Sequence, residues 1–192
     1  MRYFGFTQSN LDGTELRYNT IGSKLPEEYE LKDLPEIVDQ GSSPICMSAV
    51  LSDQVNWKLN YTKGYGKLGI SDIYDLSKKR IDGLNPKEAY QLLLSKTKYP
   101  FKRYAIVGSE IAAKNAILSN GVLMIALPVK SMNNDFWNGN DELGGHAVSL
   151  VGWNNDGFIL RNSWGTSYGN LGYYNFPYSD FDKIIESWIL ID

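Results

Sequence analysis

The chain changes character near residue 121, and this change limits its fold more than any other feature. Before that point, apolar residues recur at helical spacing, as in residues 45–58 and 109–118. After it, short apolar segments alternate with turn signals such as Asn154-Asn155-Asp156-Gly157. A helical first half followed by an antiparallel second half predicts an α+β protein with two lobes.

The same patterns predict individual elements. Helices are expected at 45–58, 71–80, 86–95 and 109–118. Pro86 suits a first helical turn, and Gly121 stands just past the end of a helix. Strands are expected at 122–129, 146–153, 158–161, 173–176 and 185–191.

The first 39 residues show no helical period. Residues 25–39 are predicted to be extended, since Pro26 and Pro35 disfavour helix at the residues before them. Residues 1–24 are polar and rich in turn residues, so we expect an N-terminal extension that packs on the surface or is partly mobile.

Composition predicts a soluble globular protein and excludes several classes of function. Hydrophobic residues make up 43% and charged residues 21% of the chain, and the formal net charge is −3. The one short basic run, residues 77–80, is typical of a solvated helix face, so no nucleic-acid partner is expected. The longest apolar stretch, residues 122–129, is far below the roughly 20 residues that cross a membrane.

The cysteine content and the N-terminus bear on the compartment. The first ten residues lack the apolar core of a secretory signal. A single cysteine cannot form an internal disulfide, which suits a reducing compartment. We therefore expect an intracellular protein, of a compact kind typical of bacterial, archaeal or viral enzymes.

Cys46 is the only cysteine and His146 the only histidine, and each lies in a distinctive pattern. Turn residues precede Cys46, so it is expected at a helix N-terminus, where the helix dipole favours the thiolate. His146 follows Gly144-Gly145 and opens an apolar strand. An imidazole that folding brings to a thiol can activate it as a nucleophile, and a third polar group can orient the imidazole.

These motifs together resemble the papain-like cysteine peptidases, over about residues 25–192. The resemblance rests on four features: Gln40-Gly41 six residues before Cys46, Gly145-His146-Ala147 at a strand start, Asn162-Ser163-Trp164-Gly165, and the glycine-rich aromatic segment 168–173 that follows. The resemblance implies a papain-like two-lobe fold. It has an N-terminal helical lobe (about 40–100) and a C-terminal antiparallel β-barrel-like lobe (about 101–192), with the active site in the cleft between them.

The resemblance also implies a role for each motif residue. Cys46 would be the nucleophile, and His146 would be the base that later donates its proton. Asn162 would orient the imidazole through its side-chain oxygen, beneath the cover of Trp164. The Gln40 amide, with the backbone N–H of Cys46, would form the oxyanion hole.

Substrate contacts follow from the same resemblance. Gly83 and Leu84 align with the family's paired glycines along the substrate backbone, while Gly145, Ala147 and Trp164 are the other expected substrate-binding residues. Ala147, being small, predicts room for an apolar or aromatic side chain two residues before the cut.

The chain departs from the family in several places, all beside the thiol or along the cleft. Leu84 carries a side chain where the substrate backbone approaches, and Ser43, Pro44-Ile45 and Met47 replace the usual residues near Cys46. His146 and Asn162 lie 100 and 116 residues after Cys46, against about 130–150 in the best-known members. Shortened loops predict a more open cleft or a surface reserved for a partner.

The implied activity is that of a cysteine peptidase, preferably an endopeptidase, acting on protein or peptide substrates as a monomer without metal or organic cofactor. Two alternatives stay open: a catalytically silent papain-like fold that serves as a binding or structural module, and an acyl transferase that favours an amine over water.

Only 24 residues precede the peptidase-like domain (25–192). We therefore expect no full inhibitory pro-domain, and activity limited by substrate access or location.

Overall fold

The computed structural model describes residues 6–19, 24–59, 83–96 and 101–191, so the predicted helix at 71–80 lies outside the described residues. In the described residues one antiparallel sheet has strands β1 (Tyr29–Glu30), β2 (Arg103–Ile106), β3 (Leu123–Val129), β4 (Gly144–Trp153), β5 (Gly157–Arg161), β6 (Tyr173–Pro177) and β7 (Glu186–Ile191). The strand order is β2-β7-β3-β4-β5-β6, and β1 pairs with β4.

Three α-helices accompany the sheet in the described residues: α1 (Cys46–Leu59), α2 (Pro86–Lys96) and α3 (Glu110–Asn120). A 3₁₀ turn follows β6 at Tyr178–Lys183. Each α-helix starts within one residue of its predicted start and ends within two of its predicted end, because Pro86, Ser109 and Gly121 mark the boundaries chemically. Ser109 Oγ accepts a hydrogen bond from the Ala112 N–H of the first turn of α3.

The sheet separates two apolar cores, and β3 shows how. Leu123, Ile125 and Leu127 pack in one core together with α3, whereas Met124 and Ala126 pack in the other together with α1 and α2. Successive strand side chains point to opposite faces, so a strand between two cores is apolar at every position. The predicted α+β architecture is confirmed, with α1 and α2 forming the helical lobe.

A buried amide joins the helical lobe to the sheet. Gln54 on α1 donates hydrogen bonds to the backbone oxygens of Val122 (3.0 Å) and Trp188 (3.2 Å), and it accepts one from the Tyr90 hydroxyl of α2 (2.7 Å). Burial raises the pKa of Tyr90, so this hydroxyl keeps its proton and remains a donor.

The sequence patterns did not predict β1, β2 or the course of the N-terminal segment. β1 has two residues and β2 four, which is too short for a periodic signal. The N-terminal segment (residues 6–19) has no regular element but is docked along much of its length. Its Phe6 is a buried core residue rather than a surface one, with 9% of its area exposed.

No helix among the described ranges is long and apolar enough to cross a membrane.

Gly121, at the end of α3, should be sensitive to any side chain. Its φ is 92°, and a methyl group there would overlap the Trp57 indole. We expect Gly121→Ala to lower the free energy of unfolding by more than about 1 kcal/mol, measured by urea denaturation. Gly108→Ala is the matched control because that position has space for a methyl group, and it should change stability by less than about 0.5 kcal/mol. Equal losses in the two variants would contradict this account of α3's end.

Candidate active site

Cys46 is the first residue of α1, and its position is set by the turn before it. Gly41 has a φ of 56°, and Ser43 N–H donates to the Gln40 oxygen at 3.0 Å, which closes the turn. The first turn of α1 contains no acidic residue, so no nearby carboxylate on that turn opposes a thiolate. The predicted helix start at Cys46 is confirmed.

The Cys46 side chain is fully buried. It belongs to the core formed by α1 and α2, together with Met47, Leu84, Ala147 and Phe6. Three of these were predicted to lie at or near the site, and Phe6 was not. The thiol is therefore covered in this structure.

His146 lies near the start of β4 and is fully buried. Its Nε2 is 2.7 Å from Asn162 Oδ1, an atom contributed by the residue after β5. The Trp164 indole stacks on the imidazole, with ring centroids 4.7 Å apart and planes 24° from parallel. Phe136 meets the same ring edge-on at 5.8 Å. The histidine–asparagine bond thus lies in an apolar enclosure that excludes water.

The neighbouring backbone fixes which imidazole nitrogen carries a proton. Asn162 Oδ1 also accepts a hydrogen bond from the Ser163 backbone N–H at 2.7 Å. Because an N–H can donate only to an acceptor, the Asn162 atom that faces the imidazole is its oxygen. His146 Nε2 must then be the donor, so Nδ1 is the ring nitrogen whose protonation can change.

Gln40 is buried, and both ends of its amide are held. Its Oε1 accepts from the Ser163 hydroxyl at 2.6 Å, and its Nε2 donates to the Ser43 oxygen at 3.0 Å. The backbone is also fixed, since Gln40 N–H donates to the Ser163 oxygen at 2.8 Å. A side-chain amide has two N–H groups, so it can make this bond and still donate to a second acceptor.

Ser163 belongs to the Asn162–Gly165 motif, but no sequence pattern assigns it a role. Its hydroxyl donates to Gln40 Oε1 and so holds the amide in the orientation that the Ser43 carbonyl, which can only accept, requires. The two residues meet because segment 38–40 pairs with segment 163–165, through an antiparallel bridge between Asp39 and Trp164. That pairing joins two parts of the chain more than 120 residues apart, which no local pattern could predict.

The residues predicted to bind substrate divide into two groups. Trp164 is 1% exposed and covers His146, so its contacts here are with aromatic rings. Leu84 and Gly145 border the place where Phe6 lies, and Ala147 belongs to the same apolar core. Phe6 forms a parallel bridge with Leu84, and a methyl group on Gly145 would overlap the Phe6 ring. Gly83 has a φ of 83°, a conformation that favours glycine.

The shortened loops predict a more open cleft or a surface reserved for a partner, and the N-terminal segment lies at this place in the described residues. Phe6 fills the space between Leu84 and Gly145. No periodic pattern marks such a segment, because an irregular chain packs through individual side chains. The aromatic residues Tyr3, Phe4 and Phe6 stand together at the start of the sequence, and nothing there singles out Phe6.

The rest of the N-terminal segment is fastened at several points. Ser9 N–H donates to Glu186 Oε1 at 2.5 Å, and Lys87 Nζ lies 3.0 Å from Asp12 Oδ2 and 2.6 Å from Glu15 Oε1. The hydrogen bonds to Glu15 and Asp12 raise the pKa of Lys87, as expected for a cation between two carboxylates. Further along, Tyr18 N–H donates to the Ile106 oxygen at 2.8 Å, on β2.

Among the described residues, no group of three or more histidine, cysteine or acidic side chains is placed to hold a metal ion.

The single histidine makes the imidazole assignment directly measurable. In protein labelled with ¹⁵N-histidine, we expect one slowly exchanging Nε2–H proton, because this N–H donates to Asn162 beneath Trp164. Asn162→Ala should increase its exchange rate by more than tenfold, since the variant removes the acceptor. Asn175→Ala, an exposed asparagine on β6, is the control and should leave the signal unchanged. A proton found on Nδ1 alone would contradict the assignment.

Known proteins resemble this chain in both sequence and fold. The family model described as papain family cysteine protease matches residues 71–184. A peptidase C1-like protein of Acanthamoeba polyphaga mimivirus is 44% identical over 54 residues, and a cysteine protease of Blomia tropicalis is 55% identical over 38. These matches span 26% and 18% of this chain, and 17% and 11% of the two relatives.

The fold comparison extends over almost the whole chain. Xylellain, a cysteine protease from Xylella fastidiosa, superposes with a TM-score of 0.80 at 20% identity, covering 99% of this chain and 97% of that one. At that identity the likeness concerns the fold, and the family model carries the assignment, since it matches more than half of the chain. The chain is therefore a member of the papain family of cysteine proteases.

Proposed function

We propose that the chain is a cysteine peptidase that hydrolyses peptide bonds through a Cys46–His146 thiolate–imidazolium pair. The observation that carries this proposal is the buried Nε2–Oδ1 bond between His146 and Asn162, which leaves Nδ1 as the titrating nitrogen. A structural histidine has no need of an oriented acceptor, a stacked indole and a fixed tautomer at once. A proton-transfer residue needs all three.

The reaction follows from these residues. The Cys46 thiolate attacks the scissile carbonyl carbon, and the resulting oxyanion accepts hydrogen bonds from Gln40 Nε2 and the Cys46 backbone N–H. His146 gives its Nδ1 proton to the leaving amine, which departs and leaves an acyl-thioester on Cys46. Water then attacks this thioester while His146 takes a proton from it, and release of the carboxylic acid regenerates the thiolate pair.

The chain's own Phe6 suggests what the adjoining pocket accepts. An aromatic side chain fills the apolar space between Leu84 and Gly145, in the same core as Ala147. We infer that substrates carry an apolar or aromatic residue two positions before the cut. A charged residue there would lose its hydration without gaining a partner.

A catalytically silent module is the second candidate, and the complete burial of Cys46 favours it. The two candidates differ in the chemistry of the thiol. An activated thiolate reacts with iodoacetamide well below the ordinary cysteine pKa of about 8.5, whereas a structural thiol does not.

The peptidase proposal is tested by thiol labelling and peptide hydrolysis together. We expect iodoacetamide to label the protein at pH 6, Cys46→Ser to abolish labelling and hydrolysis, and His146→Ala to shift labelling to higher pH. Gln40→Ala should reduce kcat by about 10²–10³-fold while labelling persists, because the amide acts on the oxyanion and not on the thiolate. An unreactive thiol at pH 6 in every form of the protein would favour the silent module.

We also propose that the N-terminal segment keeps the enzyme latent. Phe6 of this segment occupies the pocket expected to hold a substrate side chain. Contacts from the segment to Lys87, Glu186 and Ile106 hold it in place. This proposal is compatible with the expectation that residues 1–24 form no full inhibitory pro-domain and that substrate access limits activity. A short docked segment can block a cleft without being a folded pro-domain, because it competes with substrate for the same pocket.

Latency should be relieved by removing one side chain. Phe6→Ala loses the burial of an aromatic ring, worth about 1.5–3 kcal/mol. We therefore expect iodoacetamide labelling and peptide hydrolysis to accelerate by about tenfold or more, as the open fraction rises. Leu11→Ala is the matched control, because Leu11 belongs to the same segment but is 45% exposed. Equal rates for Phe6→Ala, Leu11→Ala and the unmodified chain would contradict latency while leaving the peptidase proposal intact.

A further inference from the structure

Arg161 lies at the centre of a buried polar network that the mechanism above does not use. Its side chain is 2% exposed and makes a two-pronged contact with Asp53, Nε–Oδ2 at 2.9 Å and Nη2–Oδ1 at 3.2 Å. Nη2 also donates to the backbone oxygens of Pro35 (2.7 Å) and Glu36 (2.9 Å). Ser149 Oγ completes the network by donating to Asp53 Oδ2 at 3.1 Å.

The members of this network come from the four segments that carry the proposed site residues. Asp53 follows Cys46 by two turns on α1, and Ser149 follows His146 by three residues on β4. Arg161 immediately precedes Asn162, and Glu36 lies four residues before Gln40. The guanidinium–carboxylate pair thus touches every chain segment on which the proposed chemistry depends.

A buried ion pair of this kind constrains the relative orientation of the chain segments around it more than it stabilises the fold. Removing two charges from water costs about as much as their attraction returns, and apolar replacements of similar volume are often neutral or stabilising. A guanidinium, however, is planar and presents its five N–H groups in fixed directions. The acceptors on α1 (Asp53) and on residues 35–36 can therefore be satisfied together only in one relative arrangement.

The charges of the pair support each other. Burial raises the pKa of Asp53, and the Arg161 charge and hydrogen bonds oppose that rise. Burial by itself lowers the pKa of Arg161, but the Asp53 carboxylate and the Tyr173 hydroxyl together more than offset this, so the net shift is upward. A neutral or apolar substitute at either position would remove this mutual restraint.

We propose that Asp53 and Arg161 are a positioning pair, which sets α1 against β4, β5 and segment 35–40 and thereby aligns Cys46 with His146 and Gln40. This inference rests on the proposed function, since it is the alignment of those groups that the pair controls. Neither residue contacts the reacting atoms. A shift of about 1 Å between α1 and the strands is enough to cost roughly 10²-fold in rate.

The test uses variants in the Phe6→Ala chain, in which Cys46 is expected to be accessible. Arg161→Lys keeps the charge but loses the planar fork, and the double variant Asp53→Leu/Arg161→Met removes both charges at similar volume. We expect each to lower kcat about 100-fold while KM changes less than about threefold, because Leu84 and Gly145 are untouched. The pH profile of iodoacetamide labelling should also move upward, since a displaced imidazole stabilises the thiolate less.

Gln54→Met separates positioning from general destabilisation. Gln54 is the neighbour of Asp53 on α1 and is equally buried, but its bonds reach Val122, Trp188 and Tyr90, none of which adjoins a site residue. This variant should lose stability in urea without any change in the labelling profile. If the double variant does not fold, Arg161→Lys decides the question by the same readouts.

Two failures are distinguishable. If the Phe6→Ala parent labels at pH 6 and hydrolyses peptides, but folded Arg161→Lys and the double variant match it in kcat and pH profile, the positioning pair is wrong and the peptidase proposal stands. If the parent shows no activated thiol in either assay, both proposals are overturned.

Discussion

The hydrogen bond between His146 and Asn162 is the interaction on which the rest of the site depends. It exists because β4 and the end of β5 are adjacent in one sheet, so two residues from neighbouring strands meet at the same edge. Because the Ser163 N–H donates to it, the Asn162 atom that faces the imidazole is the side-chain oxygen. Trp164 and Phe136 keep water away from the bond. An imidazole with a fixed donor nitrogen has only one other nitrogen with which to exchange protons.

The second half of the site is assembled by a different kind of contact. Segment 38–40 runs antiparallel to segment 163–165, and this short pairing joins the turn before Cys46 to the residues after Asn162. The helical lobe and the sheet are therefore connected at the site itself, as well as through Gln54 in the core. The same short stretch, residues 161–164, contributes to the ion pair, the imidazole partner, the amide orientation and the aromatic cover.

The N-terminal segment changes how the departures from the family are understood. Leu84, which the resemblance aligns with a glycine of the family, is here the partner of Phe6 in the chain's own parallel bridge. A side chain at that position adds apolar surface to the pocket that Phe6 fills. The unusual residue and the docked segment are thus parts of one contact. The sequence alone could not predict this contact, because Phe6 and Leu84 lie 78 residues apart in the chain.

Much of the fold could be predicted from local chemistry. The three described helices follow from apolar spacing with Pro86, Ser109 and Gly121 at their ends, and the five longer strands follow from apolar runs between turns. β1, β2 and the N-terminal segment could not be predicted, because short or irregular segments gain their order from partners distant in the chain. For the same reason Cys46, His146, Asn162 and Gln40 could be nominated from motifs, whereas Ser163, Phe6 and the Asp53–Arg161 pair could not.

The sequence by itself determined the three described helices, the five longer strands, the α+β class and the resemblance to one family, because these follow from periodicity, turn residues and short motifs. Only the tertiary structure decided which side chains meet, that the thiol is covered, and that Phe6 packs between Leu84 and Gly145. Hydrogen bonds and packing between residues a hundred positions apart depend on where strands and helices are placed, and no local pattern records that placement.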